Sequence, residues 1–264
     1  MATPVLNLAA LGDLHCTREA RGTLQPLLAR AVERADVLLL CGDLTDSGLP
    51  EEAQVLAGEV ARVGKIPILA VLGNHDYESG GQDDIRRILA KAGVMVLDGD
   101  VFEVGEVGFV GIKGFGGGFG RRTLEPWGES SIKHFVREAI NEALKLESGL
   151  AKLRTRRRVA IMHYAPIEET VEGEPREIFP FLGSSRLEEP LNRYGVSAAF
   201  HGHAHAGRPE GRTRDGIPVY NVALALLRRV YPDQPPFRLV PISLLDEPTS
   251  DATGERSDVS SSVS

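Results

Sequence analysis

Cysteine is scarce in this chain, which has only Cys16 and Cys41 among its 264 residues. Two cysteines cannot build the disulfide framework of many small secreted domains, and their scarcity favours a reducing compartment. Long apolar runs are also missing, since none approaches the roughly eighteen residues of a membrane-spanning helix. The apolar run at residues 5–11 follows no basic segment, so it does not resemble a signal peptide. We therefore expect a cytoplasmic protein with no membrane partner.

An excess of positive charge is absent as well. The formal net charge is −7, whereas a dedicated nucleic-acid binder usually presents a basic face. The composition therefore argues against a nucleic-acid partner and leaves the oligomeric state open. The length suits one α/β domain, which we place at residues 1–245. Residues 246–264 are rich in Ser, Asp, Thr and Glu, and we expect them to form a disordered tail.

Short apolar runs alternate with helical patterns through the first half of the chain. Residues 5–11, 37–41 and 66–72 are typical of buried strands. Residues 23–35 and 51–63 carry apolar side chains at helical spacing. This order predicts parallel strands joined by crossover helices.

From residue 94 onward the pattern changes and predicts a second sheet. The pattern indicates one long helix at residues 129–146 and short strands at residues 94–97, 101–104, 107–112, 159–162, 196–200, 219–222 and 237–245. We expect the first three of these strands to form a meander in the second sheet. The last two are expected to close it.

Histidine is concentrated in short polar motifs that follow the predicted strands. Six of the seven histidines lie in these motifs, and His134 stands alone on the long helix, where we expect it at the surface. Neutral imidazole is the commonest protein ligand for a transition metal, and its mixture with Asp and Asn suits Mn, Fe or Zn. Because ligands gather at the carboxyl ends of parallel strands, we expect the motifs to converge. They are Asp13-Leu-His15, Gly42-Asp-Leu-Thr-Asp46, Gly73-Asn-His-Asp76, His163 and His201-Gly-His-Ala-His205.

These residues are sufficient for two adjacent metal sites. Asp13 and His15 are two positions apart, so both can reach one ion from an extended segment. Asp43 has two carboxylate oxygens and could bridge that ion to a second one. The other candidate ligands are Asn74, His163 and His203 for the second ion, and His205 for the first. Two ions roughly 3.5–4 Å apart are the arrangement that in-line phosphoryl displacement uses.

His75 follows the candidate ligand Asn74 and is left without a metal of its own. An imidazole that faces the same cavity can protonate a leaving oxygen. Asp46 lies three residues after Asp43 and could pair with the second ring nitrogen of His75, which would fix the tautomer. We therefore predict that His75 is a general acid and Asp46 its partner. A structural loop histidine and a turn-capping aspartate are the alternatives.

The motifs, in this order, resemble those of the calcineurin-like metallophosphoesterases over about residues 5–222. The resemblance implies an α/β fold in four layers, an α/β/β/α sandwich of two mixed sheets with a dinuclear metal site at the strand ends. It implies the same ligands, two divalent ions of unresolved identity, and in-line attack on phosphorus by a metal-bound hydroxide. Ser47 replaces an Arg that grips phosphate in the family's protein phosphatases, and this stretch is more similar to the cyclic-nucleotide-phosphodiesterase-like branch.

The resemblance therefore implies a hydrolase that cleaves a phosphodiester or a small phosphorylated metabolite. A phosphomonoesterase or a nucleotide pyrophosphatase is the alternative within enzymes. A non-catalytic, protein-binding scaffold of the same fold is the alternative of another class. Such a scaffold would be expected to have lost ligands, and this chain has lost none.

Two further stretches are candidate walls of the site. The glycine-rich residues 114–120 precede three residues that we expect to contact the substrate, Arg121, Arg122 and Trp127. Residues 166–182, after His163, are the second candidate wall. His201 could support a ligand or simply pack at a strand end. Asp76 is expected to be a turn or helix-cap residue.

Overall fold

The computed structural model describes residues 4–245. The tail that we expect at residues 246–264 lies outside the described residues, so the domain boundary at residue 245 stays a prediction. Within the described part of the chain, no helix has the length and apolar character needed to cross a bilayer.

The first sheet is mostly parallel. It is built from β1 (Val5–Leu11), β2 (Val37–Cys41), β3 (Ile68–Val71), β4 (Val94–Val96) and β11 (Arg238–Ser243). The spatial order is β11-β1-β2-β3-β4, and only β11 runs antiparallel to its neighbour. β2 is buried along its whole length, as expected for a strand covered on both faces.

Three helices cover the outer face of the first sheet, namely α1 (Gln25–Val32), α2 (Pro50–Val60) and α3 (Gln82–Lys91). Pro50 suits the first position of α2 because the amide that it lacks would have no partner there. The buried carboxylate of Glu59 accepts the N–H groups of Leu24 and Gln25 at 3.1 and 2.9 Å. These bonds tie the start of α1 to α2.

The second sheet follows in the chain and has six strands. They are β5 (Val101–Val104), β6 (Val107–Gly111), β7 (Arg157–Ile161), β8 (Ala198–His201), β9 (Glu210–Arg212) and β10 (Pro218–Asn221). Their spatial order is β5-β6-β7-β8-β10-β9, with the four strands from β6 to β10 parallel. The helices of this half are α4 (Ser130–Lys152), α5 (Phe179–Leu182), α6 (Glu188–Arg193) and α7 (Leu224–Val230).

The two sheets face each other across a buried apolar layer. Leu39 and Val71 of the first sheet belong to one cluster with Phe109, Ile161 and Phe200 of the second. Separate apolar clusters lie between the first sheet and α1 to α3, and between the second sheet and α4 and α6. These layers confirm the predicted four-layer α/β/β/α sandwich.

Two of the predicted strands join a different sheet from the one expected. Residues 94–97 are predicted in a meander of the second sheet, but β4 pairs in parallel with β3 of the first. Residues 237–245 are predicted to close the second sheet, but β11 pairs with β1 at the edge of the first. The crossover to β4 is made by α3, which the sequence pattern did not predict. An apolar pattern indicates a strand without indicating which edge it joins, so both assignments are wrong.

Candidate metal centre

The carboxyl ends of strands from both sheets meet at one end of the sandwich. Gly12, which follows β1, donates its N–H to the carbonyl of Val222 after β10 at 2.9 Å. Gly202, which follows β8, donates to the carbonyl of His163 after β7 at 3.1 Å. The first bond holds a loop of the first sheet against one of the second, and the second bond joins two neighbouring loops of the second sheet.

The structure brings all of the predicted ligands together at this junction. The ligand atoms of Asp13, His15 and His205 lie within 4.8 Å of one another. The same limit holds for a second group, Asp43, His163 and His203, and for a third, His15, Asp43 and His75. The remaining predicted ligand, Asn74, places its Oδ1 2.9 Å from Nε2 of His163.

The backbone of the cluster is strained. Among the described residues, the non-glycine residues with positive φ are Asp13 (57°), His15 (43°), Asp43 (46°) and His203 (70°). All four are predicted ligands. Non-glycine residues in this region cost about 1–3 kcal/mol each and persist where the surrounding structure fixes them. Strain confined to the cluster indicates that these conformations are kept for function rather than for stability.

Two glycines permit the close approach of the motif loops. A Cβ atom on Gly73 would lie 2.1 Å from Oδ1 of Asp43, and a Cβ atom on Gly202 would lie 2.3 Å from Oδ2 of Asp13. Neither glycine adopts the left-handed backbone conformation. The lack of a side chain, rather than a tight turn, therefore explains glycine at both positions.

Backbone carbonyls fix the orientation of three imidazoles. Nδ1 of His163 lies 3.0 Å from the carbonyl of Cys41, and Nε2 of His203 lies 3.2 Å from the carbonyl of Phe181. Nδ1 of His75 lies 2.6 Å from the carbonyl of Asp46. A carbonyl only accepts, so each of these nitrogens carries a proton. The other ring nitrogen of each histidine is left to face the cluster, as in metal sites whose ligands are held by outer hydrogen bonds.

The electrostatics of the cluster favour the anionic form of Asp43. Burial alone would raise the pKa of Asp43, but His163 and the N–H of His75 hold that pKa well below its usual value. Although burial opposes it, Asp43 in turn raises the pKa of His163 to about 9. Burial and the charge of His163 lower the pKa of His203 to about 4. His163 thus keeps a proton beside the anionic Asp43, and a bound metal ion would displace that proton.

The donor set fits two divalent ions. Nε2 of His15 is buried without a hydrogen-bond partner among the described residues and lies 3.9 Å from Oδ2 of Asp43. Buried polar atoms normally have partners, and a cation beside this nitrogen would supply one. Imidazole, carboxylate and amide oxygen together suit Mn, Fe or Zn. One ion would be held by Asp13, His15, Asp43 and His205, and the other by Asp43, Asn74, His163 and His203.

Asp46 contacts His75 in a different way from the one expected. The sequence predicts a pair between the Asp46 carboxylate and the imidazole of His75, but the backbone carbonyl of Asp46 makes that contact. The carboxylate lies instead 3.4 Å from Nδ1 of His15. The difference arises because the turn after Asp43 points the main chain, not the side chain, of residue 46 at His75.

Asp76 has a larger role than the turn or cap that we expected. Its buried carboxylate accepts the N–H groups of Leu44, Thr45 and Gly73 at 3.1, 2.8 and 2.8 Å, and the hydroxyl of Thr45 at 2.6 Å. The three bonds from Leu44 and Thr45 join the loop that carries Asp43 to the loop that carries Asn74, and the bond from Gly73 closes the turn of the second loop. No pattern in a single sequence reveals a clamp between loops about thirty residues apart.

His201 packs rather than joining the ligand groups. It is fully buried, and its ring nitrogens lie 2.8 Å from the hydroxyl of Thr170 and 2.8 Å from the carbonyl of Gly202. Burial lowers the pKa of His201 to about 4, so the ring is neutral at physiological pH. His134 is exposed on α4, as expected.

The two predicted walls pack against each other beside the cluster. Gly117 donates its N–H to the carbonyl of Pro180 at 2.7 Å, which joins the glycine-rich loop to α5. Arg121 and Trp127 are exposed, Trp127 by 75%. The side chain of Arg122 lies outside what the structure describes. No contact among the described residues links Trp127 to a predicted ligand. The carbonyl of Phe181 contacts the predicted ligand His203, and the sequence pattern does not predict this contact.

We predict that Asp76→Asn lowers the free energy of unfolding by about 2–4 kcal/mol, because an amide NH₂ would face N–H donors that now share a charged carboxylate. The variant should also bind less Mn than the wild type. Urea denaturation and metal analysis measure the two effects. Asp36→Asn is the control, since the exposed Asp36 also accepts a backbone N–H, from Asn7 at 2.8 Å. Wild-type stability and metal content in Asp76→Asn would contradict the clamp.

The fold resembles several solved structures at low identity. A phosphopantetheinyl hydrolase from Mycobacterium tuberculosis gives a TM-score of 0.64 at 16% identity, over 90% of this chain and 96% of that one. A putative 5'-nucleotidase from Staphylococcus aureus gives 0.52 at 17% identity, over 83% of this chain and 48% of that one. The protein TT1561 of Thermus thermophilus gives 0.51 at 12% identity, over 91% of this chain and 99% of that one. At these identities the likeness shows the shared fold.

A sequence search among curated proteins found no match. The model of a protein family described as calcineurin-like phosphoesterase, in contrast, matches residues 6–207. This range contains every predicted ligand from Asp13 to His205, and the family depends on a dinuclear metal centre. The chain therefore belongs to the calcineurin-like phosphoesterase family and is a phosphoric ester hydrolase.

Proposed function

We propose that this hydrolase cleaves a phosphodiester or a small phosphorylated metabolite at the cluster centred on Asp43. The proposal rests on the position of Asp43. Its carboxylate belongs to one ligand group with His15 and to another with His163 and His203. Two of the similar solved structures are named as a phosphopantetheinyl hydrolase and a putative 5'-nucleotidase, which supports a small phosphorylated substrate. Two divalent ions bound there would activate the attacking water and neutralise charge on the phosphate.

His75 is the proposed general acid. The Asp46 carbonyl holds its Nδ1–H, so Nε2 is the nitrogen available to the leaving oxygen. The side chain of His75 is 36% exposed, so a substrate can reach it. Its ring lies 4.6 Å from that of the predicted ligand His15, which supports a position for the acid next to the metal centre.

Arg121, Arg122 and Trp127 are proposed to contact the part of the substrate that extends from the phosphate. Arg121 and Trp127 are exposed on the stretch that follows the glycine-rich wall. The free, buried thiols of Cys16 and Cys41 agree with our proposal that the enzyme works in the cytoplasm.

We expect His75→Ala to lower kcat about 10²–10⁴-fold for a diester with an alkyl leaving group, which needs a proton on departure. The loss should be much smaller for a p-nitrophenyl ester, whose leaving group departs as an anion. Steady-state kinetics with both esters measure the difference.

Asp46→Asn is the matched control because it keeps the backbone carbonyl that holds His75. Its kcat should stay within about tenfold of the wild type, with the same dependence on leaving group. An equal loss of kcat for both esters in His75→Ala would contradict the assignment of His75 as the general acid. The same holds if Asp46→Asn reproduces the leaving-group dependence of His75→Ala.

A substrate panel tests the reaction class. The panel compares bis-p-nitrophenyl phosphate, p-nitrophenyl phosphate and cyclic AMP in the presence of Mn, Fe, Zn or Ni. We expect metal-dependent cleavage with a preference for the diesters. Exclusive cleavage of the monoester would overturn that preference in favour of a phosphomonoesterase. Protein that binds none of these metals and hydrolyses none of these esters would instead be the non-catalytic scaffold.

A further inference from the structure

A row of aromatic side chains runs from the metal cluster to the surface. The ring of Tyr164 lies 4.5 Å from that of His203, and Phe115 lies 5.7 Å from Tyr164. Phe135 is 4.9 Å from Phe115, and Phe181 is 5.8 Å from Phe135. Tyr164 is buried, whereas Phe181, at the other end of the row, is 58% exposed. The row therefore begins at His203 and ends in an exposed phenyl ring.

Phe181 is fixed close to the cluster by its main chain. Its carbonyl lies 3.2 Å from Nε2 of His203, whose other ring nitrogen faces Asp43 and His163. The glycine-rich wall supports this position, since a Cβ atom on Gly116 would lie 2.5 Å from the carbonyl of Pro180. The main chain of Phe181 is thus held against the predicted ligand His203, and its ring is exposed on the same wall.

The position of this ring matters because a phosphate at the cluster extends its organic group into the adjacent space. Ile178, one turn before Phe181, is 38% exposed and adds to the apolar surface on the same wall. Water bound to an exposed phenyl ring is released when another apolar group covers it, and this release favours binding. Aromatic partners gain further from offset or edge-to-face contacts.

We infer that Phe181 binds the organic group of the phosphoester substrate, and that this group is aromatic or otherwise apolar. The inference rests on the proposed function, since it requires the phosphate to lie at the metal cluster. Phe181 is a specificity residue in this account. Its carbonyl orients His203 whatever side chain the residue carries, and its ring selects the substrate.

Phosphonates test the inference without any bond being cleaved. Titration calorimetry would measure the affinity of phenylphosphonate and of methylphosphonate for the Mn-loaded wild type and for Phe181→Ala. We expect the wild type to prefer phenylphosphonate by about tenfold and the variant to lose most of this preference, because the phenyl contact is removed. Affinity for methylphosphonate and the Mn content should not change, since the variant keeps its carbonyl.

Leu144→Ala is the matched control, because Leu144 is 54% exposed on α4, apart from the aromatic row. It should keep the wild-type preference. Equal weakening of both phosphonates by Phe181→Ala, or no preference in the wild type, would overturn the inference. A change from dimer to monomer in Phe181→Ala without an effect on phosphonate binding would also overturn it, because the ring would then cover a second copy of the chain.

Failure of the proposed function gives a different result. A protein that prefers phenylphosphonate through Phe181 but cleaves no phosphoester would contradict the reaction and leave the ligand preference standing. A protein that cleaves phosphoesters with no dependence on Phe181 would contradict only the ligand preference.

Discussion

The carboxylate of Asp43 connects the two halves of the candidate metal centre. Its oxygens lie 3.9 Å from Nε2 of His15 on one side and 3.4 Å from Nε2 of His163 on the other, and the residue is 1% exposed. A buried anion is tolerated only where positive groups and hydrogen-bond donors surround it. The strained backbone, the close glycines and the Asp76 clamp all keep this anion beside its imidazoles. The meeting of strand ends from two sheets makes that arrangement possible.

Much of the candidate centre could be predicted from the sequence, because each predicted ligand lies in a short motif close to the end of a strand. Each motif directly follows a short apolar strand, and parallel strands end at the same edge of a sheet. Contacts that depend on distant parts of the chain could not be predicted. The edges that β4 and β11 join depend on pairing between remote segments. The clamp by Asp76, and the contact of His75 with the main chain of Asp46, depend on loop conformations that residue types do not reveal.

With the inferred role of Phe181, the wall beside the cluster would connect substrate selection to metal binding. The carbonyl of Phe181 fixes His203, and the ring of the same residue faces solvent. The glycine-rich loop, which leads into a short 3-10 helix rather than an α-helix, packs against α5 and supports this contact. A change in the organic group of the substrate would therefore affect α5, which also orients the predicted metal ligand His203.

Asp43 would hold two metal ions together, because its carboxylate belongs to a ligand group with His15 and to another with His163. Metal analysis of Mn-loaded wild type and of Asp43→Ala, after removal of free ions, tests this claim most directly. We predict about two Mn ions per chain in the wild type and at most one in the variant, because the variant lacks the carboxylate that would contact both ions. A wild type that retains no Mn, or a variant that retains both ions, would contradict it.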